Sequence, residues 1–255
     1  MNKLQSICKK LLIVLFWIFI WFIVALIVDN DLLFPGPYEV LVKLFQLFTT
    51  SKFWINTLSS LYRVMIGIII AIIVGVSLGY LSFRFKFVYA LLYPLMTILR
   101  ATPVASFIIL IALFIGAITV PSIITIIMVL PIVWVNIYTG LNDVDKNLKE
   151  VCTVYKLSLK NRIKALYLPS LMPYFTSSIL SSIGLGWKAG IAAEILFPPL
   201  KSIGKSIAES NQLLLTTDLF AWTLVVIILS VLFEFLTKHI IKLTARKKLG
   251  GIKWK

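Results

Sequence analysis

The sequence has little charge for its length. Charged residues make up 14% of the 255 residues, whereas hydrophobic residues make up 60% and the mean hydropathy is +1.01. Soluble domains average roughly 25% charged residues. So few polar side chains cannot cover the water-exposed surface of a soluble fold. The composition therefore excludes a soluble globular protein and indicates an integral membrane protein.

Catalytic and metal-binding side chains are also scarce. The chain has one histidine, His239, and ten acids, of which only Glu194 and Glu234 fall inside long apolar stretches. We therefore predict no catalytic residue, no metal site and no enzyme activity. The two cysteines, Cys8 and Cys152, are too few for a disulfide framework.

The net charge of +15 does not indicate nucleic-acid binding, because the basic residues lie in short breaks between apolar runs. Gly204-Lys205-Ser206 matches the end of a phosphate-binding P-loop, but the first glycine of that motif would fall at Pro199. Proline has no N–H to offer a phosphate. We expect a surface turn there, and no nucleotide bound by this chain.

Six apolar stretches are long enough to cross a bilayer, which takes about 20 residues. Lysine and arginine are enriched in cytoplasmic connections. One set of connections, which includes both termini and is counted from Lys238 near the end of the last span, holds eighteen of them and the other set holds four. Both termini are therefore predicted to be cytoplasmic. The predicted spans are residues 11–28, 57–81, 88–113, 119–139, 171–196 and 219–243.

Two segments between the spans predict helices outside the bilayer core. Residues 35–52 have an apolar side typical of an amphipathic helix at the membrane surface. Residues 141–169 are polar and helically periodic, and loops of this length rarely lack structure. We expect two short cytoplasmic helices there that meet a partner. The apolar side of the first segment consists of Val40, Leu44, Leu47 and Phe48.

Small residues recur every four positions on two spans, a spacing that lets helices approach closely in lipid. On the second span they predict packing within the chain. On the fifth span the row ends in Glu194, which lipid would not tolerate, so that this face must meet protein or water. The rows are Gly67, Ala71, Gly75 and Gly79, and then Gly186 and Gly190.

Charged side chains at mid-membrane cost about 3 kcal/mol or more and indicate function. Arg63 lies near the external end of its span, where its side chain can extend to the membrane surface. Arg100 lies ~18 Å into the third span. The Thr102-Pro103 step beside it interrupts the helix, as in the walls of membrane cavities.

The charged residues of the fifth span leave two readings open. Lys188 and Glu194 form salt bridges to other helices, or they belong to a polar path. The two cations of that path, Arg100 and Lys188, would favour an anionic solute. The candidate path residues are Arg100, Thr102, Ser106, Ser181, Lys188 and Glu194.

From Glu150 onward the sequence resembles the cytoplasmic signature of bacterial ABC importer permeases. That signature reads Glu-Ala-Ala, three residues, Gly, nine residues and Ile-x-Leu-Pro. Here Glu150-Val151-Cys152 is followed by Lys156 at the glycine position and by Leu-Tyr-Leu-Pro at 166–169. The spacing of the signature is kept. Val151 and Cys152 replace its two alanines, and Lys156 replaces its glycine. Because the glycine helps the chain bend between two coupling helices, Lys156 makes the geometry of that bend a question for the structure.

Further stretches resemble the nitrate/sulfonate/taurine subfamily of these permeases, from about residue 33 to residue 245. Each stretch is weak alone, and their order along the chain is specific. They lie at residues 33–37, 57–63, 99–103, 131–136 and 186–194.

The resemblance implies an all-α, polytopic fold of the type I ABC importer permease (MetI-like) class with about six transmembrane helices, in the bacterial plasma (inner) membrane. It implies a first transmembrane helix and external segment in residues 1–56, a five-helix core in 57–245 with coupling helices at 141–169, and a basic cytoplasmic tail in 246–255. The implied coupling residues are Glu150, Val151, Cys152, Lys156, Leu168 and Pro169.

The implied partners are a second copy of the chain, two ABC ATPase subunits and an extracytoplasmic solute-binding protein. ATP and Mg would belong to the ATPase, so that this chain binds no cofactor. The expected function is import of a small anionic solute such as a sulfonate, taurine or nitrate.

Two alternatives stay open. The first is an ABC permease for a thiamine-precursor pyrimidine or another small organic solute. The second is a stand-alone secondary transporter, which would need carboxylates for ion coupling and would leave residues 141–169 unexplained. No residue in the sequence separates sulfonate from nitrate.

Overall fold

The computed structural model describes residues 3–249, and in that part of the chain all regular structure is helical. The predicted all-α class is confirmed. The last six residues of the predicted basic tail lie outside the described residues. In chain order the helices are α1 Lys3–Val28, α2 Pro37–Phe48, α3 Ser51–Arg84, α4 Lys86–Ala101, α5 Val104–Ala112, α6 Val120–Asn142, α7 Lys146–Val154, α8 Leu159–Arg162, α9 Leu168–Leu196, α10 Ile203–Gln212 and α11 Thr216–Leu249.

Five of the six predicted spans correspond to single helices that are long and apolar enough to cross a membrane. The third predicted span, residues 88–113, is instead the pair α4–α5, whose axes bend by 102°. The bend lies at the predicted interruption, where Thr102 is extended and Pro103 has no N–H to continue the helix. The predicted break within this span is confirmed.

The direction of the helices shows that α4 and α5 together cross the bundle. Helices α3 and α6 run parallel, because Gly67 lies against Thr125 and Gly79 lies against Ile137. The end of α3 and the start of α6 are therefore at opposite ends of the bundle. The chain from Lys86 to Ala112 must connect these two ends, as one broken span. We call the two ends of the bundle the α7 end and the α10 end, after the helices that cover them.

Helices α3, α6 and α9 form the core. A Cβ atom added to Gly75 would lie 2.7 Å from Cβ of Val133, and one added to Gly79 would lie 2.8 Å from Cβ of Ile137. Such distances are shorter than van der Waals contact, so that the backbones of α3 and α6 meet only where a side chain is missing. Gly186 of α9 has the same relation to Ile68 of α3. Both small-residue rows thus serve packing within the chain.

Helices α1 and α2 lie at the edge of this core. Helix α2 is shorter than the predicted 35–52 segment, and its Val40 and Leu44 are buried. Lys43 pairs with Asp218 of α11 at 2.9 Å. Helix α1 is held near its end by the Trp21 indole, which donates a hydrogen bond to the carbonyl of Pro35 at 3.1 Å. The other side chains along α1 are mostly exposed and apolar, as a lipid-facing helix requires.

The close approach of α3 and α6 predicts a strong effect of Gly75→Leu. The added side chain would overlap Val133, so that we expect a loss of about 2–3 kcal/mol in the free energy of unfolding. Gly184→Leu is the matched control, because no atom lies within 4 Å of a Cβ at Gly184. Thermal unfolding of the two variants in detergent checks this prediction. Equal unfolding midpoints for both variants would show that the α3 row does not set the packing.

Candidate functional site

The segment carrying the Glu150 signature forms a helical hairpin at the α7 end. Its first helix, α7, begins at Asp145, whose carboxylate accepts a hydrogen bond from the N–H of Asn147 at 2.7 Å. The second, α8, begins at Ser158 and passes through a π-helical turn, Ile163–Tyr167, directly into α9. The two predicted short helices are present, and the second is continuous with the next span.

The bend after α7 answers the question raised by Lys156. The N–H of Lys156 donates to the carbonyl of Thr153 at 3.0 Å, and the N–H of Leu157 donates to the carbonyl of Cys152 at 3.0 Å. This pair of bonds is a Schellman motif, which places one residue in the left-handed region that glycine adopts easily. Lys156 occupies that position with φ = 48°. The bend of the family signature is kept, and a lysine adopts the strained conformation.

Side-chain contacts fasten the hairpin to the spans. Cys152 is buried in a small cluster with Val144 and Leu166. The hydroxyl of Tyr174 on α9 donates to the carboxylate of Asp143, at the end of α6, at 2.6 Å. A push on α7 would therefore be passed to both α6 and α9.

The outer side of the hairpin is apolar and exposed although it lies beyond the predicted bilayer core. Leu148, Val151 and Tyr155 are three, four and seven positions apart and so share one face of α7 and of its end, with Val154 beside them. Exposed apolar surface of this kind marks an interaction site. We call this set the hairpin patch, and it consists of Leu148, Val151, Val154, Tyr155, Leu159 and Ile163.

Of the six residues assigned to coupling, five lie on the surface. Glu150, Val151, Lys156, Leu168 and Pro169 are exposed. Cys152 is the exception, because its side chain faces the interior of the hairpin. It can shape the hairpin but cannot itself touch a docked subunit.

A second polar site, at the α10 end, centres on Glu194 of α9. Its carboxylate is fully buried and accepts hydrogen bonds from the Ser60 hydroxyl at 2.5 Å, the Arg63 guanidinium at 3.1 Å and the Gly204 N–H at 3.3 Å. Arg63 also donates to the carbonyl of Lys201 at 2.9 Å. We call Ser60, Arg63, Glu194 and Gly204 the Glu194 network. It joins α3, α9 and the start of α10.

This network corrects two expectations from the sequence. Arg63 does not extend to the membrane surface but forms an ion pair with Glu194 inside the bundle. Gly204-Lys205-Ser206 is not a surface turn, since it forms the first turn of α10, where a Cβ at Gly204 would overlap Glu194. The sequence did hold one signal, two opposite charges near the same predicted membrane surface, but nothing local linked residues 131 positions apart.

The six candidate path residues fall into three separate places. Arg100, Thr102 and Ser106 lie around the α4–α5 bend, where the Thr102 hydroxyl donates to the carbonyl of Ile98 at 2.8 Å. Glu194 is enclosed in its network and has no exposed surface.

Ser181 and Lys188 lie apart from both, in a groove between α9 and α11 of about 460 Å³. Solute contact by any of the six stays a prediction.

The family model of the binding-protein-dependent transport system inner membrane component matches residues 66–247. The match includes the hairpin and the Glu194 network except Ser60 and Arg63. The chain belongs to this family. It is an ABC importer permease, a transport subunit rather than an enzyme, and the predicted resemblance is confirmed.

Relatives of this permease agree with that assignment. It is 30% identical to the nitrate import permease protein of Synechococcus elongatus over 69% of this chain and 67% of the relative. It is 26% identical to a putative aliphatic sulfonates transport permease protein of Bacillus subtilis over 97% and 87%. A solved structure of the MetNI methionine ABC transporter, in an inward-facing conformation, shares the fold with a TM-score of 0.56, 13% identity and coverage of 73% and 93%.

The buried ion pair of this permease predicts a large loss of stability for Glu194→Ala. The substitution leaves Arg63 charged and unpaired inside the bundle, which costs about 3–5 kcal/mol. Glu209→Gln is the control at the same end, because its ion pairs with Lys52 and Lys205 are exposed and worth at most about 1 kcal/mol. Unfolding in detergent followed by tryptophan fluorescence measures both. A Glu194→Ala variant as stable as Glu209→Gln would contradict the role of the network.

The strained bend predicts opposite effects for two substitutions of Lys156. Lys156→Gly should stabilise the hairpin by about 0.5–1 kcal/mol, because glycine adopts positive φ without strain. Lys156→Val should destabilise it by about 1 kcal/mol or more, because a branched Cβ worsens the clash. Hydrogen exchange of the α7 amides reports this local stability. If the valine variant exchanged as slowly as the glycine variant, the left-handed bend would be wrong.

Proposed function

We propose that this permease is the membrane-spanning subunit of an ATP-driven importer for a small anionic solute, delivered by an extracytoplasmic binding protein. The observation that carries the proposal is the hairpin patch, an exposed apolar surface at the position of the family's coupling signature. The names of two relatives, a nitrate import permease and a putative aliphatic sulfonates permease, support a small anion as the solute.

The remaining subunits follow from the same proposal. Two copies of the permease would pair, and each hairpin patch would dock into one of two ABC ATPase subunits, which bind ATP and Mg. The α7 end, with its lysine-rich hairpin, would be cytoplasmic together with both termini. The α10 end would face the binding protein.

The contacts of the hairpin suggest how ATPase closure reaches the membrane. Because α8 continues into α9 and Tyr174 bonds Asp143, displacement of the docked hairpin would move α6 and α9 together. At the α10 end the Glu194 network would carry that motion to α3 and α10. The bent α4–α5 span has only Met96 and Ile108 buried among its helical residues and would change its angle as the cavity opens outward.

The stand-alone secondary transporter is less well supported. Such a transporter needs an ionisable carboxylate that can exchange its partner during the cycle. Glu194 has hydrogen bonds on both oxygens and no exposed surface, and this arrangement favours a structural role. The pyrimidine alternative would place a neutral or cationic ring beside Arg100 or Lys188, which the two positive charges disfavour.

A charge reversal in the coupling hairpin tests the proposal. Glu150 is exposed beside Val151 of the hairpin patch, so that Glu150→Lys should weaken ATPase docking at least tenfold, the effect of about 1.4 kcal/mol. ATP-driven uptake of nitrate and of ethanesulfonate into proteoliposomes should fall with it. The measurements are co-purification of the ATPase from native membranes and uptake with and without ATP.

Glu209→Lys is the matched control, because it reverses a half-exposed acid at the opposite end of the bundle. It should leave ATPase co-purification unchanged. Normal docking and uptake by Glu150→Lys would refute the coupling role. Uptake that continued after ATP depletion, with the membrane potential intact, would instead establish the secondary transporter.

A further inference from the structure

A polar groove runs between α9 and α11, from within the membrane-spanning part of α9 to Lys238 near the α7 end of the α11 span. One wall carries Ser181, Gly184 and Lys188, and the other carries Glu234 and Lys238. Lys238 and Glu234 form an ion pair one helical turn apart. Within the described residues Lys188 makes no direct ion pair, but it interacts at longer range with Glu234, so that two lysines share one carboxylate and the groove keeps one excess positive charge.

The depth of the groove excludes plain exposure to lipid. From Leu180 the α9 helix continues for ~18 Å toward the α7 end, and from Lys188 it continues for ~12 Å toward the α10 end. Ser181 and Lys188 therefore lie well inside the membrane-spanning part of α9, where a charged side chain facing lipid tails costs about 3 kcal/mol or more. A charged Lys188 at this depth requires that this face of α9 meets water or protein rather than lipid.

The shape of the groove provides room for a small ligand. No atom lies within 4 Å of a Cβ built on Gly184, which is one turn before Lys188 on the same face. The volume of about 460 Å³ exceeds what a nitrate or a short sulfonate occupies. Ser181 lies one turn beyond Gly184 and offers a hydroxyl donor toward the same space.

We propose that this groove is a water-filled binding site for a small oxyanion, with Lys188 as the charged contact and Ser181 as a neutral donor. This inference rests on the proposed function and names the site of its solute. An ammonium group and a hydroxyl suit the oxygens of a nitrate or a sulfonate. Glu234 neutralises Lys238 and keeps the net charge at one, so that the anion binds weakly enough to leave again.

Thiol labelling at Gly184→Cys measures access and electrostatic potential in the groove directly. Two methanethiosulfonate reagents of similar size differ in charge. One carries an ethylsulfonate, itself a small organic sulfonate, and the other carries an ethyltrimethylammonium. The full-length permease carries Cys8→Ser, is purified with the subunits that accompany it, and is placed in phosphatidylcholine nanodiscs. The same protein without Gly184→Cys gives the background rate from buried Cys152.

Gly116→Cys is the matched control, since Gly116 also has no atom within 4 Å of its Cβ and lies in the connection before α6. Phe19→Cys on the lipid-facing side of α1 provides the unreactive reference.

We expect Cys at position 184 to react rapidly. Its ratio of sulfonate to ammonium labelling rates should exceed the same ratio at Gly116→Cys. Adding Lys188→Gln should lower the sulfonate-to-ammonium rate ratio about fivefold or more, because one unit charge a helical turn away acts oppositely on the two reagents. Excess nitrate should slow labelling in the Lys188 protein and not in the Lys188→Gln protein.

Three outcomes would overturn the proposal. Cys at 184 that is as unreactive as Phe19→Cys means that lipid or protein fills the groove. Reaction without a charge preference means that Lys188 does not attract anions. Labelling that slows when phosphatidylglycerol is added to the nanodiscs means that a lipid phosphate is the occupant. Size-exclusion profiles confirm that each variant remains folded.

The labelling needs neither ATP nor transport, so that its result is independent of the ATPase test above. Anion-selective labelling in a permease that binds no ATPase would leave the groove standing and remove the proposed importer function. Normal ATPase docking with an unreactive groove would remove the proposed solute site and leave the proposed importer function standing.

Discussion

The ion pair between Arg63 and Glu194 is the constraint on which the arrangement of the bundle depends. Inside a membrane protein, an unpaired charge costs far more than the loss of one apolar contact. The two residues lie on different helices, and the carboxylate needs the Ser60 hydroxyl and the Gly204 N–H as well. These bonds form only in one register of α3 against α9. In that same register the glycines of α3 face the side chains of α6, so that polar and apolar packing require the same geometry.

The two ends of the bundle differ in how they are held. At the α10 end, buried hydrogen bonds join α3, α9 and α10 through backbone as well as side-chain groups. At the α7 end the hairpin has a small core and a strained bend at Lys156, and its outer apolar side chains have no partner within the described chain. A rigidly hydrogen-bonded end and an end with exposed apolar side chains are what we expect of the proposed subunit. A partner would bind at the α7 end, and the helices would pivot about the α10 end.

Hydropathy and charge were sufficient to predict the six crossings, because each span is a local property of about twenty residues. The break at Thr102-Pro103 was also predictable, since proline acts on its own helix. The size of the bend was not, because packing around α5 determines it. The partners of Glu194 were equally hidden, since they lie more than 130 positions away in α3 and the amide of Gly204 carries no side-chain signal. The inward orientation of Cys152 depends on Val144 and Leu166, which meet it only after the hairpin closes.

The contrast between Glu194 and Lys188 shows how one helix serves both folding and function. At six positions apart on α9, their side chains point about 120° away from each other. Glu194 faces α3 and α10, where both of its oxygens accept hydrogen bonds within the chain. Lys188 faces the groove toward α11, where the nearby Glu234 is already paired with Lys238. If both charges served only stability, the second would also have a buried partner. A lysine inside the span without a direct ion pair needs water or an anion beside it, and the proposed site would supply both.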